Sequence, residues 1–228
     1  MIIQFKEIIM NKQYKGFCSW SGGKDSCLSL YRAMKKGIKV EYLFTMFKED
    51  GLRSRGHGLK PEIIKKYAEL FDMNLVYGKA TWGEYEEIFK EKMSYLENKG
   101  VNIGIFGDID LIDHREWVMK ACSHTNMEVY HPLWQEARRK IIEEFVDEGF
   151  QSIIVTLNGD LMPKEYLGRV FDKSLIQEFE DLGIDPCGEN GEFHTAVIDG
   201  PIFKTPLKLK KKEMIKIQNY WMLDLELE

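Results

Sequence analysis

A short apolar run near the start of the chain leads directly into a glycine pair and then into a helical pattern. Residues 14–20 are apolar and β-prone, Ser21-Gly22-Gly23 follow, and apolar residues recur at helical spacing from Asp25 to Gly37. This order predicts a strand, a tight turn and a helix. Because glycine tolerates positive φ and lets an anion approach the backbone, the junction predicts a concavity lined by N–H groups at a helix N-terminus.

The side chains of the segment 21–26, which reads SGGKDS, suit a phosphate ligand. Serine hydroxyls can donate to phosphate oxygens, lysine can neutralise charge, and aspartate can bind Mg²⁺ or cap the helix. A serine-capped helix after a Gly-Gly turn is the structural alternative. We expect Lys24 and Asp25 to be catalytic, and the whole segment to bind ATP: Ser21, Gly22, Gly23, Lys24, Asp25 and Ser26.

The sequence of this segment distinguishes between two classes of nucleotide-binding protein. Neither GxxxxGK[ST] nor GxGxxG occurs in the chain, which argues against a Walker-type kinase or GTPase. Instead, SGGKDS resembles the PP-loop of the ATP pyrophosphatase superfamily. That resemblance implies cleavage of ATP between its α and β phosphates, with pyrophosphate released and AMP left on the substrate. The spacing alone indicates only an anion site.

Strand-like and helix-like segments alternate through the first 132 residues. Apolar runs of strand length occupy 40–47, 74–78, 103–106 and 129–132, and helical patterns occupy 61–71, 85–99 and 114–125. This alternation predicts a parallel sheet covered on both faces. The expected fold class is α/β, a Rossmann-like (HUP-type) parallel sheet with the PP-loop, followed by a smaller α+β C-terminal domain.

The pattern changes after Pro132. A helix fits 136–148 and a strand fits 152–157, and loops rich in Gly, Pro and Asp follow. Apolar residues alternate again in the tail, 206–228, which predicts antiparallel strands with one polar face. We predict a PP-loop nucleotide-binding domain at 1–132 and a substrate-recognition domain at 133–228.

Gly107-Asp108 comes directly after a predicted parallel strand. Ligands of such sheets bind outside the carboxyl ends of the strands, so both residues are expected near the phosphates. We predict that Gly107 binds ATP, and that Asp108 is catalytic and holds Mg²⁺ together with Asp25. A helix cap is the alternative for Asp108. The neighbouring His114-Arg115 pair can steady an intermediate or form a surface salt bridge.

A second dense group of polar residues lies at 185–203, which reads DPCGENGEFHTAVIDGPIF. Its glycines permit a folded loop, and its polar side chains supply donors and acceptors for a cationic or amide-bearing substrate. A turn whose Asn and Glu cap local backbone is the alternative. Together with SGGKDS and Gly107-Asp108, this segment resembles the diphthine–ammonia ligase family over residues 16–204. The resemblance implies a substrate-binding loop facing the nucleotide: Gly188, Glu189, Asn190, Gly191, Glu192, His194 and Thr195.

Two further loops carry candidate residues. The segment 53–58, which reads RSRGHG, lies where this superfamily tends to place adenine or substrate contacts, so His57 is assigned to ATP binding. An exposed basic loop is the alternative there. The segment 166–169 also resembles a family segment, and Arg169 suits a carboxylate or phosphate of the substrate.

Composition limits the kinds of binding partner and the location that we expect for this protein. A formal charge of −5 gives no broad basic field, which disfavours a long nucleic acid. Four cysteines lie far apart without a CxxC pair or a secretory leader, and no run of about 18 apolar residues occurs. We expect a cytoplasmic protein without a membrane span.

The family resemblance implies an amide ligase that forms a C–N bond. It would use ATP and Mg²⁺, adenylate a carboxylate and transfer ammonia from free ammonium, with elongation factor 2 carrying diphthine as a candidate partner. Three alternatives stay open. They are a relative acting on another carboxylate, such as a corrinoid-related metabolite, a tRNA-thiolating PP-loop enzyme, and a non-catalytic nucleotide-binding module. Assembly as a homo-oligomer is not legible from the sequence.

Overall fold

The first half of the chain folds around a parallel sheet, as the alternating pattern predicts. The computed structural model describes residues 13–228, so the opening stretch 1–12 of the predicted first domain lies outside the described residues. The five strands of this sheet are β1 Lys15–Ser19, β2 Lys39–Lys48, β3 Asn74–Ala80, β4 Ile103–Ile105 and β5 Glu128–Tyr130. They are all parallel, in the order β3-β2-β1-β4-β5. The order reverses between β1 and β4, which is where open α/β sheets bind ligands.

Helices cover both faces of this sheet. They are α1 Lys24–Lys35, α2 Pro61–Phe71, α3 Tyr85–Asn98 and α4 Ile112–Cys122. Buried residues of α1 and α2 belong to one apolar cluster, and those of α3 and α4 belong to a second cluster that includes Phe17 and Phe44. The two clusters are the two faces of one sheet, as expected for crossovers that place helices on both sides.

The second half contains an antiparallel sheet with helices. Its elements are α5 Arg138–Asp147, β6 Gln151–Asn158, a 3-10 turn at Lys164–Tyr166, α6 Lys173–Asp181, β7 Phe193–Asp199, β8 Leu209–Ile217 and β9 Tyr220–Leu227. The strand order is β7-β6-β9-β8, with every pair antiparallel. The predicted fold class, a Rossmann-like parallel sheet followed by an α+β unit, is confirmed.

Strand β7 joins the two halves at the glycine turn. The Val197 N–H donates to the Gly22 carbonyl at 2.9 Å, and the Tyr67 hydroxyl of α2 donates to the Val197 carbonyl at 2.6 Å. The apolar cluster of α1 and α2 continues through α5, β6 and α6. Because one core serves both halves, the domain boundary between residues 132 and 133 stays a prediction.

Two regular elements lie where the sequence predicts only loops. Helix α6 is capped by Asp172, whose carboxylate accepts the Leu175 N–H at 2.9 Å, and its apolar residues Leu175, Ile176 and Phe179 are buried at helical spacing. Strand β7 forms part of the segment taken for a glycine-rich loop. The loop prediction for these residues was wrong because Gly, Asn and Glu before β7 masked a short strand whose pairing partner, β6, lies about 40 residues earlier.

Within residues 13–228, no helix combines the length and the apolarity that crossing a membrane requires.

Candidate active site

The turn after β1 is held in shape by its own serines. Gly22 has φ +86°, and the Gly23 N–H donates to the Ser21 hydroxyl oxygen at 3.1 Å. The hydroxyl of Ser26 lies 3.1 Å from that of Ser21 and donates to the Gly23 carbonyl at 3.0 Å. These bonds fix the loop before any ligand binds.

The N-terminus of α1 faces this loop with unused donors. Among the described residues, the backbone N–H groups of Asp25 and Ser26 have no hydrogen-bond acceptor, whereas the Lys24 N–H donates to Thr195 Oγ1 at 3.1 Å. Free N–H groups and the positive end of a helix dipole form an anion site. The geometry therefore supports the predicted phosphate cradle.

The end of β4 packs directly on that helix turn. A Cβ on Gly107 would lie 3.0 Å from the Ser26 backbone nitrogen and 3.1 Å from the Asp25 carbonyl carbon. Glycine is therefore needed for the strand to approach the helix this closely. The next residue, Asp108, lines the same cavity as the glycine turn.

Asp108 has a histidine neighbour that the sequence analysis missed. His131 follows β5, its side chain is only 4% exposed, and its Nε2 lies 3.3 Å from Asp108 Oδ2. The predicted neighbour His114 is farther away, with its Nδ1 3.9 Å from Asp108 Oδ1. A polar residue at the carboxyl end of β5, one strand away from the strand-order reversal, was the signal that could have found His131.

A cavity of about 880 Å³ opens in front of these groups. This volume suits a ligand larger than a phosphate. Apolar side chains from the parallel sheet, α3 and α4 form one wall: Phe44, Met46, Phe89, Phe106 and Trp117. At the rim, the Arg55 guanidinium carbon lies 4.2 Å from the centre of a Trp82 ring that is 76% exposed. The cavity thus has an anion-binding floor and an aromatic wall.

The glycine-rich loop before β7 forms the opposite side of the cavity. Gly188 and Gly191 have φ +72° and +86°. Asp185 accepts the backbone N–H groups of Cys187 and Glu189, both at 3.0 Å. These bonds fold the loop so that its backbone faces the PP-loop.

Lys24 connects the two sides of the cavity. Its Nζ donates to the carbonyl of Cys187 and to Asp25 Oδ2, the latter at 2.8 Å. Burial, the largest single influence, would lower the pKa of Lys24, but the charges of Asp25, Cys187 and Glu189 and the hydrogen bond to Asp25 together outweigh burial and raise the pKa above its usual value. Lys24 is therefore a protonated cation at neutral pH.

Two histidines line the cavity in neutral form. His57 Nδ1 lies 2.7 Å from the Thr195 carbonyl, so this nitrogen carries the proton and Nε2 is left as an acceptor. The His57 and His194 ring centres are 4.7 Å apart. Burial lowers the pKa of His57 to about 4 and that of His194 to about 3, and Lys24 adds to both shifts.

Glu189 is the acidic side chain of this loop that enters the cavity. Burial, followed by the charge of Asp25, raises its pKa to about 7, and Lys24 and Arg138 partly offset the shift. A carboxyl group with this pKa can both accept and release a proton near neutral pH.

Arg138 of α5 holds this loop against the loop that follows β4. Its guanidinium binds both carboxylate oxygens of Asp110 at 2.7 and 2.8 Å, and it binds Asp185 Oδ2 at 2.5 Å. Because Asp110 is two residues from Asp108 and Asp185 anchors Glu189, one side chain fixes both walls of the cavity. Sequence analysis did not single out Arg138.

The structure brings most of the predicted residues together. Lining the cavity are Ser21, Lys24, Asp25, Ser26, His57, Gly107, Asp108, Gly188, Glu189, Gly191, His194 and Thr195. Gly22 and Gly23 shape the turn beneath them.

Besides Gly22 and Gly23, three predicted residues do not line the cavity. Glu192 is buried and accepts the Asn190 and Asp185 N–H groups at 3.0 and 3.3 Å, and the Asn190 side chain donates to Glu192. These contacts give Glu192 and Asn190 a role in folding the loop. Arg169 pairs with Glu178 of α6 at 2.8 Å, outside the cavity. Their direct contact with substrate stays a prediction.

Two carboxylates at the cavity can hold a metal. Asp25 Oδ1 is buried without a hydrogen-bond partner among the described residues, and Asp108 lines the same cavity. No group of three or more His, Cys, Asp or Glu side chains within residues 13–228 is arranged for a metal ion. Two carboxylates fit Mg²⁺, which commonly completes its coordination with phosphate oxygens and water.

The fold and the cavity define a class of protein. A parallel sheet that presents an open helix N-terminus at its strand-order reversal, beside a large partly aromatic cavity, is a nucleotide-binding α/β protein. The family model of the diphthamide synthase N-terminal domain matches residues 14–129, and that of the diphthamide synthase C-terminal domain matches residues 137–227. The chain belongs to the diphthamide synthase family.

Curated relatives agree with this assignment. A diphthine–ammonia ligase of Schizosaccharomyces pombe is 28% identical, over 86% of this chain and 36% of its own length. Those of Bos taurus and Homo sapiens are 25% identical, over 86% of this chain and 82% of theirs. The chain thus spans about a third of the first relative and most of the other two.

A crystal structure of a predicted subunit of a tRNA methyltransferase from Methanocaldococcus jannaschii has a TM-score of 0.45 and 14% identity. It covers 82% of this chain and 98% of its own, and a likeness of this size adds nothing to the assignment.

Proposed function

We propose that this chain is an ATP-dependent amide ligase of the diphthine–ammonia ligase type. The observation that carries the proposal is the open N-terminus of α1, which faces the family's glycine-rich loop across one cavity. The curated names of the relatives support the same reaction.

The phosphates of ATP would bind at the N-terminus of α1. The Asp25 and Ser26 N–H groups donate to them, and Lys24 supplies a fixed positive charge from the floor of the cavity. Asp25 and Asp108 would hold Mg²⁺, whose charge stabilises the departing pyrophosphate. The adenine ring would stack on the aromatic wall of the cavity. Of the aromatic residues in that wall, Phe106 and Trp117 are nearest to Asp108 in the sequence.

The carboxylate substrate would enter from the side of the glycine-rich loop. Amide formation from a carboxylate stalls because its oxygen is a poor leaving group. A carboxylate oxygen therefore attacks the α phosphorus, pyrophosphate departs, and the resulting acyl-adenylate carries AMP as a good leaving group. Ammonia then forms the C–N bond as the C–O bond to AMP breaks. Elongation factor 2 carrying diphthine is the proposed substrate, and residues 133–228 the substrate-recognition part.

The cysteines bear on the tRNA-thiolation alternative. All four cysteines are free and buried, and the Cys187 Sγ donates to the Arg138 carbonyl. Burial raises the pKa of Cys187 to about 12, which disfavours the thiolate that sulfur transfer needs. We therefore keep amide formation as the proposed reaction, in the cytoplasm. Self-association stays a prediction to be measured.

The reaction class is tested with α-labelled ATP, Mg²⁺ and ammonium, with and without elongation factor 2 that carries diphthine. We expect labelled AMP only when the acceptor is present. ADP as the product would refute cleavage between the α and β phosphates. AMP formed with another carboxylate, but not with elongation factor 2, would keep the chemistry and replace the substrate.

The close contact of Gly107 with α1 gives a prediction on ATP affinity. In Gly107→Ala the new Cβ would lie 3.0 Å from the Ser26 nitrogen, so β4 and the helix turn must separate. Overpacking of this kind costs about 1–3 kcal/mol, and displacement of the N–H groups should weaken ATP binding about tenfold. Isothermal titration calorimetry measures the affinity.

Gly16→Ala is the matched control. A Cβ there also meets a neighbour at 3.0 Å, but that neighbour is the flexible side chain of Ile105 in the sheet core, away from the cavity. We expect a loss of thermal stability without a change in ATP affinity. Equal weakening of ATP binding by both variants would contradict the assigned role of Gly107.

A further inference from the structure

Glu189 differs from the other carboxylates that face the cavity. Its side chain has no ion pair and no hydrogen bond with any residue in the range 13–228, although its neighbours are paired. Asp25 is paired with Lys24 at 2.8 Å, and Asp108 lies 3.3 Å from His131. Glu189 is thus a carboxylate that lines the cavity with both oxygens available to a ligand.

The backbone beneath Glu189 is fixed. Its N–H donates to Asp185 Oδ2, and the same oxygen binds Arg138. A Cβ on the preceding Gly188 would lie 2.7 Å from the Phe193 carbonyl, so the loop turns back on β7 where only glycine fits. A fixed backbone on a buried scaffold holds the side chain toward the cavity.

The charges around Glu189 place its protonation change near neutral pH. Asp25 and Lys24 face it from α1, Arg138 faces it from α5, and Asp185 adds negative charge from its own loop. Burial is the largest influence and Asp25 the next, and they raise the pKa of Glu189 to about 7 against the opposing effects of Lys24 and Arg138.

Four other groups at the cavity are poor proton acceptors. Lys24 stays protonated, because the neighbouring negative groups and the hydrogen bond to Asp25 together outweigh the effect of burial on its pKa. His57 and His194 have pKa values lowered to about 4 and 3 by burial, so they hold a proton too weakly at neutral pH. Burial raises the pKa of Cys187 to about 12, and its thiol is already a donor.

We propose that Glu189 is the catalytic base that takes a proton from the ammonium ion in the amide-forming step, an inference that rests on the proposed function. The Glu189 carboxylate accepts one proton from ammonium and becomes a carboxylic acid. The ammonia so formed uses its lone pair to bond the acyl carbon, and the C–O bond to AMP breaks, with its electron pair leaving on AMP. The nitrogen, now bonded to the acyl carbon, loses one further proton to solvent, which gives the neutral amide.

Glu189→Gln tests this role because glutamine keeps the size and the polarity of the side chain but cannot accept the proton. Adenylation is measured alone, as the exchange of labelled pyrophosphate into ATP with diphthine-bearing elongation factor 2. Amide formation is measured with ammonium chloride. We expect exchange within about threefold of wild type and amide formation about 100-fold slower, a typical contribution of a general base.

Replacing ammonium by hydroxylamine as the nucleophile separates proton removal by Glu189 from any other role of this side chain. Hydroxylamine is already unprotonated at neutral pH, so it does not need the base. With hydroxylamine as the nucleophile, Glu189→Gln should form the hydroxamate within about threefold of wild type. Glu180→Gln, on the exposed surface of α6, is the matched control for the charge change. Equal loss with both nucleophiles, or a parallel loss of exchange, would refute the base and indicate binding of the substrate or nucleotide.

The wild-type protein gives a second test that needs no variant. When amide formation limits turnover at fixed total ammonium, the rate should rise with pH and level off once Glu189 is ionised, well below the pKa of ammonium. Capture of free ammonia from solution would instead let the rate keep climbing toward the pKa of ammonium itself. A missing exchange reaction in wild type would refute the proposed function, whereas normal exchange with a climbing profile would refute only the base.

Discussion

Lys24→Met is expected to lower the rate of AMP formation by about 10³-fold, because one preorganised charge at a phosphate site contributes about this much. The Lys24 ammonium is buried on the cavity floor and is held by Asp25 and the Cys187 carbonyl. Its position therefore costs no reorganisation when ATP binds. Methionine fills similar space but removes the charge and leaves Asp25 without its partner.

The measurement is release of labelled AMP at saturating ATP, at a temperature where circular dichroism shows the variant folded. Lys24→Arg should not restore the rate, because a planar guanidinium does not fit the space of a compact ammonium. Lys65→Met provides the control, since Lys65 is an exposed residue of α2 without an ion pair in the described range. A Lys24→Met rate within tenfold of wild type would remove Lys24 from the catalytic machinery.

Arg32→Met is expected to lower the free energy of unfolding by about 3 kcal/mol, the lower end of the range for breaking a buried charge network. Arg32 of α1 is 15% exposed, and its guanidinium binds Glu136, Glu144 and the Pro132 carbonyl. Every N–H of the guanidinium is used in these contacts. The lower end applies because Glu136 and Glu144 are 33% and 27% exposed, which lets water screen part of the interaction.

Urea unfolding measures the change, and Arg139→Met is the matched control. Arg139 of α5 also binds two glutamates, Glu143 and Glu180, but its side chain is 41% exposed, so we expect less than about 1 kcal/mol. Adding Glu136→Gln and Glu144→Gln to Arg32→Met should recover part of the loss, because two unneutralised carboxylates no longer face each other. Equal losses in Arg32→Met and Arg139→Met would contradict a special role for the half-buried network.

The effect of Arg32 has a defined pH dependence. Hydrogen bonding to Arg32 lowers the pKa of Glu136, so this carboxylate stabilises the folded state above its unfolded pKa. The stabilisation is lost as pH falls through the lowered folded value. The difference in stability between wild type and Arg32→Met should therefore narrow in acid, and a difference that grew on acidification would contradict the ion-pair interpretation.

The parallel half of the fold was predictable because its signals are local. The apolar run before Ser21 and the helical spacing after Asp25 each fall within a dozen residues, and structure places β1 and α1 there. Gly107 and Asp108 were found by the rule that strand ends meet at one edge of a parallel sheet. The second half was harder to predict from the sequence, because α6 and β7 follow polar, glycine-rich residues.

Within the cavity, sequence identified residue types and the structure decided their partners. Glu189 and Glu192 are three residues apart in one motif, yet Glu189 enters the cavity and Glu192 binds its own loop backbone. Arg169 looked suited to an anionic substrate but pairs with Glu178. His131 and Arg138 carried no motif, and only their positions beside Asp108 and Asp185 show their importance.

The sequence by itself determined that a strand, a glycine turn and a helix form an anion site on an α/β sheet, since these features depend on neighbouring residues and on glycine's backbone freedom. Tertiary structure alone decided which charges meet across the cavity. Lys24 and Cys187 are far apart in the chain, as are Glu189 and Asp25, and such contacts arise only when β7 packs against the PP-loop. The protonation state of a carboxyl group depends on those long-range neighbours and on burial, which no local pattern encodes.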